Sequence, residues 1–228
     1  MLFRIAAAVL LLFTNVALAA ESQPSSSDPG GSAPHAPRPA VSMQPVAPGD
    51  FWSYEVKDEI SGNITYTRTI VVTDVTKTAI ATRFNVARPG QFGSIEFDHS
   101  WNIVTSNAAR YSPNDGTGFH LPLKPEARWN FAADVTNTNG LTLKRAGSSR
   151  VTGTEQVTTK AGTFDTTVVE TSFSTRNPAE PARKFETSVR TWYSSDVNHW
   201  IKRSTVAKQN GLAYESETIE LVDYGRKK

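Results

Sequence analysis

Few residues in this chain have the type and spacing that chemistry requires. It has four histidines and no cysteine. His35 falls in a polar N-terminal stretch, and His99, His120 and His199 stand alone, with no His-x-His spacing and no pair at i, i+4. Zinc needs three or four convergent ligands, and no local spacing offers even two. The absence of cysteine excludes thiolate metal sites, a thiol nucleophile, disulfides and a lipid-modified N-terminal cysteine. No Gly-x-Ser-x-Gly elbow is present. Asp115-Gly116-Thr117-Gly118 shares letters with an aspartic-protease triplet, but it has the wrong spacing and no second copy, and it reads as a turn. Ser112 to Gly116 does not supply the alternating oxygens and distal carboxylate of a calcium loop. Phosphate-binding glycine loops are absent too, so no cofactor is expected.

Carboxylates and aromatics remain. Glu96/Asp98 and Glu215/Glu217 are i, i+2 pairs that would share one face of a strand, roughly 7 Å apart. Inverting glycosidases use a comparable separation. Solvated strand faces show it as well, and no aromatic floor stands beside either pair, so a cell-wall glycan hydrolase is the least favoured reading. Asp58/Glu59 is a third, adjacent pair. Trp52, Trp101, Trp129, Trp192 and Trp200, with several Phe and Tyr residues, fall in strand positions. In a flat sandwich they would be core. In a strongly curved sheet they would line a concave face for an acyl chain. Exposed tryptophans could alternatively form a stacking platform for sugars. Strand parity and residue type select Trp129, Phe131, Tyr66, Phe84 and Tyr193 as the candidate lining.

The elements that position these residues read as strands throughout. Residues 1–19 form an export signal: Arg4 is the charged start, Ile5 to Phe13 the apolar core and Ala17-Leu18-Ala19 the cleavage site. About nine apolar residues fall well short of the ~20 of a spanning helix, so no stable membrane span is expected after cleavage. Residues 20–49 form a Pro/Ser-rich disordered linker holding prolines 24, 29, 34, 37, 39, 45 and 48. An all-β domain follows over 50–225, and 226–228 is a basic tail. Ile64 to Val75 alternates, with Ile64, Tyr66, Ile70 and Val72 on one face and threonines on the other. Ala79 to Ala87, Arg128 to Thr136, Leu141 to Arg145, Val151 to Thr159, Phe164 to Arg176 and Lys184 to Ser194 read likewise. Asp98 to Trp101 makes either a hairpin tip between Phe92–Phe97 and Asn102–Ser106 or part of one continuous strand; the Asp/Ser/Asn cluster favours the hairpin. Ala109 to Pro125 is a long irregular stretch. Asn210-Gly211 joins the last two strands as a hairpin turn. Net charge is +2 from 24 basic and 22 acidic residues, too balanced for a nucleic-acid footprint.

Val151-x-Gly153-x-Glu155-x-Val157, then Ala161-Gly162-Thr163-Phe164, Val168-Val169-Glu170 and Trp192-Tyr193 resemble an exported bacterial family of uncharacterised function. Its usual Pro after Trp-Tyr-x is Ser195 here, and its Gly before the next strand is replaced around Asn198-His199. The resemblance implies an architecture similar to periplasmic lipoprotein carriers: a single curved antiparallel sheet of roughly eleven strands, forming a half-barrel or incomplete barrel with an apolar concave face. The expectation is a non-catalytic periplasmic or secreted protein that binds or carries an apolar or amphipathic envelope molecule, such as a lipid or acyl chain. An envelope structural or interaction protein with a protein partner and no small ligand is the alternative.

Overall fold

A computed structural model describes residues 43–87 and 92–227; the export signal read over 1–19, and residues 20–42 of the linker, lie outside the described residues. Twelve strands follow in chain order: β1 (Asp50–Asp58), β2 (Ile64–Val75), β3 (Ile80–Val86), β4 (Phe92–Phe97), β5 (Ile103–Ser106), β6 (Ala109–Ser112), β7 (Arg128–Asn137), β8 (Thr142–Thr159), β9 (Gly162–Arg176), β10 (Lys184–Ser194), β11 (His199–Gln209) and β12 (Leu212–Arg226). Each pairs antiparallel with the next, and β12 returns to β1 from Asp50↔Arg226 to Asp58↔Glu217.

The barrel is therefore closed. This corrects the expected half-barrel of roughly eleven strands. An incomplete sheet would leave β1 and β12 as bare edges, and closure alone removes them. The seam is reinforced by Arg226, which donates to both oxygens of the fully buried Asp50 (2.5 and 3.0 Å) and to Pro45 O at 2.8 Å. The stretch read as a basic tail thus begins inside β12. The strands also differ from the expectation in two places. β8 runs unbroken where the sequence suggested two strands, and β6 lies in the stretch read as irregular.

Closure gives the chain an inside and an outside. Along β1, Trp52, Tyr54 and Val56 are buried, whereas Ser53, Glu55 and Lys57 alternate outward. The outer wall carries cross-strand ion pairs such as Lys144–Asp134 (2.7 Å), Arg150–Glu170 (2.7 Å) and Lys202–Glu220 (2.6 Å). A lipid-embedded barrel needs the reverse, an apolar band outside. β2 keeps the predicted face at Tyr66, Ile70 and Val72 but not at its start: a bulge opposite Val56/Lys57 turns Ile64 outward to 57% exposure, and Arg68 takes the inward position between Tyr66 and Ile70.

Twelve strands enclose more space than the roughly eight whose own side chains can fill a barrel. Part of that space is taken by the loop after β6. Asp115, Gly116, Thr117, Gly118 and Phe119 are all buried. The loop is bonded like an extra strand: Asp115 N–H donates to Ile103 O (2.8 Å), Ile103 N–H to Asp115 Oδ1 (2.8 Å), Gly118 N–H to Asn102 Oδ1 (2.8 Å) and Phe119 N–H to Ser100 O (2.7 Å). Gly116 lies so close to Phe131 that a Cβ would sit 2.0 Å from its ring, so only glycine permits the approach. Arg145 on β8 anchors the plug, 3.7 Å from Asp115 Oδ2 with both side chains 1% exposed, and its guanidinium lies 4.4 Å from the Phe173 ring centroid.

Removing one partner of such a pair strands the other as a buried charge. Asp115→Ala should cost about 3–5 kcal/mol of unfolding free energy, read from urea denaturation. A loss below ~1 kcal/mol would mean that the plug is not anchored by this pair.

Candidate functional site

The turns β2–β3, β4–β5 and β10–β11 meet at one end of the barrel together with the plug loop. Residues 43–49 run across this end as a strap. Met43 is fully buried, its N–H donates to Asp196 O (3.3 Å), and Gln44 Nε2 donates to Ser195 O (2.9 Å). Between strap, plug and turns lies a half-open cleft of about 940 Å³. Val46, Val75, Ile80, Leu121 and Leu123 form its apolar wall, while Glu155, Asp165 and Asn198 are among its polar groups. Trp101 lines it and belongs to a buried aromatic layer beneath. His199 stacks on Trp52 with centroids 4.4 Å apart, and Trp101 meets Trp52 edge-on at 5.4 Å. Tyr54 Oη hydrogen-bonds to His199 Nδ1 and lies 3.1 Å from Trp200 O. Burial, reinforced by Arg203 and Arg68, holds His199 well below its usual range, so the ring is neutral and packs as core.

The five residues selected from the sequence all occupy inward positions. Tyr66 lies opposite Val56, Phe84 opposite Ile70, Trp129 opposite Ser149, Phe131 opposite Gly147 and Tyr193 opposite Trp200. They do not form one surface. Trp129 stacks on His120 at 4.7 Å, Tyr193 packs on Phe119 at 4.7 Å, and Phe131 lies against the plug. Tyr66 and Phe84 pack against the core from β2 and β3. Tyr193 is the one member of the five that lines the cleft. Its hydroxyl donates to Asn198 Oδ1 (2.9 Å), and burial pushes its pKa up to about 12.

The carboxylate pairs resolve differently. Asp98 is structural: it accepts from Ser100 N–H and Asn102 N–H, both at 2.9 Å, and so builds the β4–β5 turn as a hairpin. Glu96 accepts from Thr105 Oγ1 at 3.1 Å. Glu215 and Glu217 face the barrel interior toward its other end, opposite Ala207 and Thr205. Projecting the same way from one strand, they cannot flank a glycosidic bond from opposite sides as an inverting pair must. Among the described residues, no group of three or more His, Asp or Glu residues could hold a metal ion. The sequence reading missed Arg68 and Arg203, which also face inward; Arg68 had a signal, since it shares the parity of Tyr66 and Ile70.

Burial pushes Glu215 up to about 7, with Glu217 adding to the rise, and burial likewise raises Glu217 against the pull of Arg68 and Arg203. A raised carboxyl pKa means that the folded state holds the extra proton. Its contribution is therefore full below the unfolded value of about 4.3 and is lost as pH climbs toward 7. Glu215→Gln should remove this loss. The difference in Tm between variant and wild type should grow from pH 4.5 to pH 7.5 in favour of the variant, and a constant difference across that range would contradict the assignment.

Residues 126–217 match the DUF3108-like family, the same region that holds the Gly153–Glu155 and Ala161–Phe164 motifs. No curated protein matches the chain. A candidate lipoprotein from Parabacteroides distasonis superposes with a TM-score of 0.51 at 15% identity, covering 82% of this chain and 100% of that one. A candidate exported protein with a YmcC-like fold from Bacteroides fragilis gives 0.49 at 12% identity, covering 79% and 97%. The hypothetical lipoprotein YmcC from Escherichia coli gives 0.47 at 11% identity, covering 83% and 92%. Over residues 126–217 the chain is thus similar to the DUF3108-like family, and its barrel shares the fold of the Parabacteroides protein.

Proposed function

We propose that this barrel is a non-catalytic binding or carrier protein of the bacterial envelope, and that an apolar or amphipathic molecule such as an acyl chain occupies the end cleft. The observation that carries the reading is the cleft itself, about 940 Å³ in volume, with aliphatic walls and polar groups beside them. Sites for small amphipathic ligands have this composition and size. Removal of apolar ligand surface from water would drive binding at ~25 cal/mol per Å². The likeness to a candidate lipoprotein and the signal read over residues 1–19 support an envelope location.

The test is a titration with the fluorescent apolar probe N-phenyl-1-naphthylamine, alongside native mass spectrometry of protein prepared without detergent. Val75→Trp and Leu121→Trp fill the cleft from two walls and should each weaken probe binding at least about tenfold, while Lys144→Ala on the outer wall leaves it unchanged. Equal binding by all four proteins would remove the cleft from consideration. A bare polypeptide mass, with no probe uptake by the wild type, would remove the carrier reading itself.

A further inference from the structure

Among the described residues three arginines point into the barrel, and one of them has a carboxylate within 4.0 Å. Arg145 has Asp115 at 3.7 Å. Arg68 (opposite Tyr54) and Arg203 (opposite Ile219 and Thr191) have no ion-pair partner within 4.0 Å among the described residues. Arg68 is only 6% exposed, and its Nε is buried without a hydrogen-bond partner. Arg203 lies under the aromatic layer, its guanidinium 5.3 Å from the Trp200 ring centroid. The two strands that carry them are separated by β1 and β12 alone, and both side chains face the same interior, Arg68 opposite Tyr54 and Arg203 opposite Ile219. Both act electrostatically on Tyr54, His199 and Glu217, and Asp115 and Glu217 act in turn on Arg203 without an ion-pair contact.

Glu217 does not neutralise them. A close ion pair would draw its carboxyl below the usual range, yet burial outweighs both arginines and the group is raised. Two guanidiniums held in a partly dry interior without a carboxylate in contact are expensive for an empty protein. They are also the pair of forked donors that best recognises a carboxylate or phosphate.

We propose that the barrel interior holds an anion-binding site, formed by Arg68 and Arg203, for a carboxylate or a phosphate monoester. The site shares no residue with the cleft, lies on the other side of the aromatic layer, and does not depend on the cleft being occupied. Below it the wall is built from small side chains: Thr187, Thr205 and Ala207 face inward beside Glu217 and Glu215. The rim at that end exposes Ile60, Ile64, Phe92, Leu212 and Tyr214, at 66, 57, 77, 78 and 51%. Apolar side chains around that rim, with Ile64 and Phe92 on its outer face, together with two guanidiniums that lack a contacting carboxylate, suit a single-chain anionic amphiphile. A free phosphate or carboxylate would present the same chemistry.

Calorimetric titration of the full chain with decanoate, decyl phosphate, inorganic phosphate and the uncharged octyl glucoside separates these sources. Arg68→Met and Arg203→Met should each weaken decanoate and decyl phosphate at least about tenfold, leave octyl glucoside unchanged, and leave the ligand-free Tm unchanged or raised. Val75→Trp, which fills the cleft, should retain full anion affinity. Decyl phosphate binding far more tightly than inorganic phosphate identifies a lipid headgroup as the occupant, and equal affinities identify a free anion; both support the site. No anion binding by the wild type overturns the proposal. So does undiminished binding by the two variants, or a sharp fall in Tm with affinity intact, which would make the arginines structural.

Discussion

The pairing of β1 with β12 is the contact on which everything else in this molecule rests. It joins residues as far apart as Asp50 and Arg226, and it turns a meander of local hairpins into a surface with an interior. Every other strand pair connects neighbours in sequence and would form in an open sheet as well. The seam is held by more than its ladder. The buried Asp50 carboxylate gathers the Arg226 guanidinium and the Ala47 N–H at 2.9 Å, so the strap that crosses the barrel end is tied to the same residue that closes the wall. Loss of that carboxylate would loosen closure and strap together, and the cleft has the strap as one of its walls.

Once closed, the interior divides into parts with different chemistry. One end is capped by the strap and the plug loop, and below the cap is a layer of Trp, Tyr, Phe and His rings in edge-on and stacked contact. The layer is dry enough to keep His199 neutral and to hold Tyr54 well above its ordinary pKa. Beneath it the wall turns to threonine and charge. The dry, low-dielectric layer above and the charges below reinforce each other, because a guanidinium under an aromatic roof is poorly screened and acts strongly on whatever anion is near. The charged half is consequently where electrostatics can discriminate between ligands, and the aromatic half is where shape alone can.

Much of this was legible in the sequence, and the failures have definite causes. Period-two alternation located β2 down to its ends, because one of its faces is largely apolar. Asn210-Gly211 reads as a hairpin turn because both residues can take positive φ, and they do, at 51° and 84°. Parity placed all five selected aromatics on the inward face. What parity could not show was closure, a non-local contact that leaves no local pattern. Nor could it show that the loop around Asp115 folds inward, since its polar residues are satisfied by partners on β8 and in the β4–β5 turn that composition does not reveal. Arg68 was passed over because a charged residue on an apolar face reads as noise until the face is known to enclose a cavity. The bulges at β1–β2 and β10–β11 reset the alternation, so Ile64 and the stretch around Trp200 cannot be assigned by counting in twos.

The motif behind the family resemblance turns out to be a clasp. Gly153 sits at the β8 bulge with φ of 150°, in a region that strongly favours glycine, and nothing lies within 4 Å of the Cβ it lacks, so backbone conformation and not space requires it there. The bulge redirects the long β8–β9 hairpin. Glu155 then accepts from Trp192 Nε1 (2.6 Å) and pairs with Arg190, while at the hairpin tip Lys160 reaches Glu55 on β1 at 2.7 Å. Gly153, Glu155 and Trp192 therefore work as one device that folds a hairpin across its neighbours and pins it. A likeness carried by such residues transmits architecture. The groups that would choose a ligand, Arg68 and the strap at Val46, lie outside the stretch of the family match, and Arg203 lies inside it but outside the motif. Proteins that share the clasp can thus share the barrel while differing in what they hold.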